Sequence, residues 1–257
     1  MQSVNVKGLV IRTVDLREAD RLCVIFTEEM GIVTAVARGA RCLRSKQLCT
    51  AAQFCYCQFV LTRRGEYYWI READLIESFF DLRRSIDGLA LASYICEVLS
   101  DVTVAEADRE LLRLSLNSLY AIARDLYPLD KIKAVFELRA AAILGFLPDV
   151  LACRVCGKKT GEFVFDIMGG NIVCADCRRS GEAQDPYDDG HEAHIICLLS
   201  EGAKVALGYC VYSPLEKVFS FRLPPEDMTL LCRAAEAYLL HHLERSFPTL
   251  DFYKEVK

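Results

Sequence analysis

Cys153-Arg-Val-Cys156 is followed, after seventeen intervening residues, by Cys174-Ala-Asp-Cys177. Two CxxC knuckles at that separation have the spacing that lets four thiolates converge on one tetrahedral ion. Gly157 follows the first knuckle, where the chain must fold back beneath its own ligands. Between the knuckles, Glu162-Phe-Val-Phe-Asp166 and Asn171-Ile-Val173 are expected as two short strands joined at Gly169-Gly170. This is the layout of a zinc ribbon. Sulfur at all four positions leaves none open for water or substrate, so the expected Zn2+ is structural.

Outward from the ribbon, the N-terminal part of the chain is β. Expected strands are Val4 to Thr13, Arg21 to Thr27, Ile32 to Ala37, Phe54 to Thr62 and Glu66 to Arg71, with Gly8 marking a bulge or a close backbone approach. Five short strands suffice for a small closed barrel, and the OB type is the commonest such barrel that binds single strands. From Asp81 the hydrophobic period becomes helical. Asp87 and Asp108 are candidate N-caps, Pro128 suits a helix first turn and Gly145 a helix stop. Residues 181–191 are polar and turn-rich and are expected as a linker. Ser200 caps a helix through Gly208, and a last amphipathic helix runs from Pro225 to about Arg245. The expected class is α+β: an N-terminal OB-fold β-barrel (1–80), an all-α body (81–150 and 181–257) and an inserted four-cysteine zinc ribbon (151–180).

With 257 residues, 53% apolar and 26% charged, the chain has the composition of a folded globular protein. Met1 to Lys7 lacks the basic start and apolar core of a secretion signal. No uncharged apolar run approaches the roughly 18 residues that span a bilayer, so no membrane partner is expected. Thirteen cysteines, with a framework only at the ribbon, suggest free thiols in a reducing cytoplasm.

Enzyme signatures are missing. Gly157-Lys-Lys-Thr160 lacks the upstream glycine of a phosphate loop, and Lys159 stands at its Ser/Thr place. No Rossmann fingerprint or nucleophile elbow occurs. His191 and His194 with Cys197 lack a spaced fourth ligand, and Asp185, Asp188 and Asp189 fit a solvated linker. His241 and His242 fall late on the last helix, where a basic group suits the dipole.

Net charge is −5, yet the charge is segregated: Met30 to Gly65 holds six basic residues and no acidic one. Arg38, Arg41, Arg44 and Lys46 sit on a turn-rich segment, and Arg63 and Arg64 at the next turn, followed by Tyr67, Tyr68 and Trp69. Phosphate contacts need cations on a surface that bases also reach, with aromatic faces for stacking. Tyr67 and Trp69 share one face of their strand, Tyr68 and Ile70 the other. One face is core, and alternation alone does not say which. A merely solubilising loop is the competing reading of the basic segment.

Gly8-Leu-Val-Ile-Arg-Thr13, Glu18-Ala-Asp-Arg-Leu22, Phe26-Thr27, Gly31 and Ala37-Arg-Gly-Ala-Arg41 resemble the N-terminal signature of the RecO family of bacterial recombination mediators. The four ribbon cysteines are similar to those of its zinc-bearing members, and Arg245-Ser-Phe-Pro-Thr-Leu-Asp-Phe252 to its C-terminal end. The resemblance implies a non-enzymatic protein, cytoplasmic and nucleoid-associated, that binds single- and double-stranded DNA and anneals strands. It also implies RecR and single-strand binding protein as partners in loading RecA. The family's DNA-contacting basic residues correspond to Arg12, Arg38, Arg41, Arg44 and Lys46, and the barrel turn adds Arg63 and Arg64. Two other readings remain: a zinc-ribbon interaction adaptor that binds no DNA, and a zinc-dependent nucleic-acid enzyme, which would need an open metal position.

Overall fold

The structure is a computed structural model that describes residues 3–16, 18–45, 47–102, 108–181 and 195–257. It divides the chain into two compact units, 1–126 together with 247–257, and 127–246.

In the first unit, β1 (Ser3–Leu16), β2 (Asp20–Thr27), β3 (Gly31–Ala37), β4 (Tyr56–Arg64) and β5 (Tyr67–Glu77) close into a barrel in the order β1-β2-β3-β5-β4. That order is the OB-fold. The first strand serves two neighbours: Gly8 faces Thr27 of β2 on one side and Cys57 of β4 on the other. A Cβ on Gly8 would lie 2.5 Å from Ile25 Cγ2 and 3.0 Å from the Phe26 carbonyl oxygen, so close approach is what the glycine permits. The register shift in β1 falls just beyond it, between Val10 and Arg12. Closure comes from a short parallel pairing, Ala35 with Tyr68 and Val36 with Trp69. Val6, Val10, Cys23, Ile25, Val33, Ala35, Phe59, Leu61 and Ile70 fill the interior, with Tyr68 and Ala73 packed against them. The buried Thr27 hydroxyl donates to the Gly31 carbonyl and accepts the Met30 N–H, fixing the β2–β3 turn where Gly31 has φ 63°.

The first strand runs on to Leu16, beyond the expected Thr13, and the fourth and fifth strands also depart from their expected limits. The fourth strand starts at Tyr56, because Phe54 takes a left-handed φ of 72° as its N–H bonds to Val10. The fifth runs on to Glu77, paired along β4. A short helix α1 (Gln47–Thr50) precedes β4, and α2 (Ile86–Asp101), α3 (Arg109–Ala123) and α8 (Pro248–Val256) complete the unit. The cap of α2 is Ser85, whose Oγ accepts the Gly88 N–H, rather than Asp87, which lies inside the first turn. Asp108 caps α3 as expected. The C-terminal α8 was not expected from the pattern; Phe247 and Thr249 dock it on α2 through Tyr94 and Glu97.

The second unit contains α4 (Leu129–Ile143), β6 (Phe163–Asp166), β7 (Asn171–Cys174), α5 (Ala175–Ser180), β8 (Ile196–Leu199), α6 (Glu201–Tyr212) and α7 (Pro225–Leu243). Ser200 caps α6. Glycine at 145, with φ 99°, ends the turn after α4. The ribbon sheet has three strands, not two: β8 pairs along β6 from Phe163–Leu199 to Asp166–Ile196. Most of the expected linker 181–191, with His191, His194, Asp185, Asp188 and Asp189, lies outside the described residues. Among those described, no helix is long and apolar enough to cross a membrane.

Candidate nucleic-acid interface and metal centre

The ribbon delivers its sulfurs as the spacing predicts. Cys153 and Cys156 sit on a tight knuckle closed by Gly157, whose N–H donates to the Cys153 carbonyl at φ 73°. Cys174 ends β7 and caps α5, which carries Cys177. The four sulfurs lie within 4.8 Å of one another, and Cys156 Sγ is 3.7 Å from Cys174 Sγ. Tetrahedral thiolates about 2.3 Å from zinc would stand about 3.8 Å apart. Cys174 N–H donates to Cys153 Sγ at 3.3 Å, and Cys177 N–H to Cys174 Sγ at 3.5 Å, so the donor set is oriented by backbone. Burial raises the Cys153 pKa, but the N–H groups of Cys156, Cys174 and Val155 outweigh it and bring the thiol down to about 6. Three of the four are buried. The group fits a metal ion, and it is a closed thiolate set.

All thirteen cysteines are free thiols. Outside the ribbon, burial pushes Cys23, Cys57 and Cys210 up to about 12 and Cys55 to about 11, which makes them unreactive packing groups.

The basic segment after β3 is a folded turn. Gly39 N–H donates to Asp20 Oδ1 at 2.8 Å and Arg41 N–H to the Ala19 carbonyl at 3.0 Å, so the turn is pinned to the start of β2. Arg38 is exposed, and its guanidinium carbon lies 5.4 Å from the Trp69 ring centroid. Arg64, at the end of β4, lies 5.2 Å from the same ring. Arg44 is exposed, and Arg63 is exposed with its Nε donating to the Gly65 carbonyl at 3.5 Å. Arg12 is exposed on β1 beside the bulge. Lys46 lies outside the described residues.

One expectation is corrected here. Residues 30–65 hold no acid, but one of the segment's cations is balanced from outside it: Arg41 Nε lies 3.3 Å from Asp15 Oδ2, a carboxylate supplied by β1. The same aspartate holds Arg21 at 3.3 Å. Asp15, Arg21 and exposed Arg71 were not singled out by sequence reasoning, because all three lie outside the acid-free run from Met30 to Gly65. Packing also settles the faces of β5: Tyr68 and Ile70 point inward, Tyr67 and Trp69 outward. The dipole role expected of His242 does not hold. Its ring stacks on Phe146 and faces the Ile167 carbonyl, and burial lowers its pKa, favouring the neutral form.

A closed OB barrel with exposed arginines on its outer face, on a chain that also carries a four-cysteine cluster among helices, defines an OB-barrel protein with an embedded four-cysteine ribbon. Residues 1–79 match the family described as Recombination protein O N terminal, and residues 83–251 match Recombination protein O C terminal. The DNA repair protein RecO of Acetivibrio thermocellus is 32% identical over 257 residues, covering 99% of this chain and 97% of that protein. That of Clostridium kluyveri is 31% identical, covering 97% and 93%, and that of Caldicellulosiruptor saccharolyticus 26%, covering all of both. The chain belongs to the RecO family of DNA repair and recombination proteins.

Proposed function

We propose that this protein is a non-catalytic recombination mediator that binds single- and double-stranded DNA and anneals complementary strands. It helps load RecA, together with RecR, on DNA coated by single-strand binding protein. In this reading the barrel, 1–80, holds the DNA through Arg12, Arg38, Arg41, Arg44, Lys46, Arg63 and Arg64. The helical segments 81–150 and 181–257 dock protein partners, and the ribbon, 151–180, is a structural Zn2+ site held by Cys153, Cys156, Cys174 and Cys177. Such a protein works in the cytoplasm, on the nucleoid.

The observation that carries the reading is the convergence of Arg38, from the turn after β3, and Arg64, from the end of β4, on one ring of an OB barrel. Cations brought together by the fold rather than by sequence adjacency neutralise neighbouring phosphates, and bound strands screened from mutual repulsion keep their pairing edges free. The zinc assignment rests on the sulfur spacing; bound zinc would cross-link the two knuckles and supply no reaction step.

The test is strand annealing of complementary oligonucleotides, with and without single-strand binding protein, alongside anisotropy of a labelled strand titrated across salt concentrations. Binding that weakens steeply with salt and annealing that persists on coated strands are the expected results. A chain that binds no strand at low salt would instead be the interaction adaptor.

A further inference from the structure

The face built by β3, β5 and β4 carries a side chain that barrel packing does not use. Alternation along β5 turns Tyr68 and Ile70 into the core and leaves Tyr67 and Trp69 outside. Trp69 pairs with Thr62 on β4 and Val36 on β3, so it stands in the middle of three strands rather than at an edge. Its ring is half-buried, and the charged groups placed over it are both cations: Arg38 at 5.4 Å and Arg64 at 5.2 Å. Neither arginine makes an ion pair among the described residues, although the carboxylates of Glu66 and Glu72 lie close in sequence to the indole. A tryptophan serving only as filler would turn inward with the apolar row.

We propose that Trp69 is a stacking platform for an unpaired nucleobase, and that Arg38 and Arg64 cover the ring until a strand arrives. This rests on the DNA-binding reading above and names the group that would separate single strands from duplex. An exposed guanidinium is held to an indole more weakly than a base is stacked on one, so the exchange runs toward the base. The displaced guanidinium then meets a phosphate beside that base, a charge-assisted interaction it lacks in the free protein. A base inside a duplex already has both faces stacked and has none to offer. Exposed Tyr67, two residues and about 7 Å along the same face, is placed for the next base.

Trp69 is the single tryptophan of the chain, so its emission reports on that ring alone. The full-length protein is titrated with an oligothymidylate, an abasic strand of the same length and a duplex, following tryptophan emission and the anisotropy of a label on the DNA. All three are expected to raise anisotropy, and only oligothymidylate to quench strongly. Trp69→Ala is expected to lose about tenfold in affinity for oligothymidylate. Trp69→Phe should lose a few-fold, and both variants should hold the abasic strand as the parent does. The comparison of thymidylate with the abasic strand needs no variant, so it decides the matter even if Trp69→Ala unfolds. Unchanged emission while anisotropy reports a complex, or equal quenching by the abasic strand, overturns the stacking site and leaves the DNA-binding reading standing. No anisotropy change with any strand overturns that reading and the platform with it.

Discussion

Asp15 restrains two guanidinium groups at once, those of Arg21 and Arg41, and it does so from an exposed position. Exposed ion pairs contribute at most about 1 kcal/mol to stability, so the carboxylate is dispensable to the fold. It is not neutral toward a polyanion: it offsets two cations and adds a negative charge of its own. Asp15→Ala is therefore expected to leave the unfolding midpoint nearly unchanged while raising affinity for single strands a few-fold and steepening the salt dependence. Anisotropy titrations at several salt concentrations check this, and weaker binding would show that the Asp15 pairs hold Arg41 in its binding position. The opposite balance applies at Gly8, which no DNA group needs to touch. A methyl there meets Ile25 Cγ2 at 2.5 Å, inside a barrel closed on both sides of β1. Gly8→Ala is expected to cost about 1–3 kcal/mol in urea unfolding, the usual penalty for overpacking.

At the scale of elements, the ribbon is tied down as well as folded. Lys204 of α6 donates to the carbonyls of Leu151 at 2.8 Å and Lys159 at 3.1 Å, Gly161 N–H donates to Glu201 Oε2 at 3.0 Å, and Tyr212 of α6 reaches the Pro148 carbonyl at 2.7 Å. Removing the metal should therefore release the knuckles first. With a chelator, four additional thiols are expected to react with a colorimetric reagent and amide exchange to accelerate at 153–177, while α6 and the barrel stay protected. Loss of barrel protection in the same step would contradict this. Next to the ribbon, the ring of His242 is kept neutral by burial and, secondarily, by neighbouring His241, against a smaller opposing pull from the Ile167 carbonyl. Its folded pKa lies below the unfolded value near 6.5, so the unfolded chain takes up the proton first. Stability should fall as pH drops below about 6.5 and level off under the folded pKa, and His242→Gln should flatten that segment of a plot of unfolding midpoint against pH. Elements with a strong local signal were legible from sequence: alternating strands, capped helices and two knuckles at metal spacing. The strand β8 was not, because Ile196-Cys-Leu-Leu199 is four residues without alternation and becomes a strand by pairing with β6. Nor was α8, whose docking on α2 depends on Glu97, some 150 residues away in sequence.

Over the whole molecule, net charge and the proposed binding surface point in opposite directions: the chain is at −5, while the barrel gathers exposed arginines from separate strands and turns. The sequence disclosed which residues were cationic, but not how each is held. The partner of Arg41 comes from β1, twenty-six positions earlier, and Arg38 and Arg64 meet at one indole ring. Long-range attraction follows the local field more than the net charge, and each neutralised phosphate releases condensed counterions, so the number of working cations can be counted from salt dependence. For single strands the slope of log K against log salt changes by about 0.7 for each phosphate left unneutralised. Replacing Arg38, Arg44, Arg63 and Arg64 together by Ala is therefore expected to weaken binding at low salt by orders of magnitude and to flatten the slope by up to about 3. Replacing the same four by Lys separates charge from shape. Lysine keeps the counterion effect but not the planar fork that lies on an indole or spans two phosphate oxygens. The Lys variant should retain most of the slope and lose part of the affinity, whereas a slope unchanged in the Ala variant would locate the phosphate-binding groups on another surface.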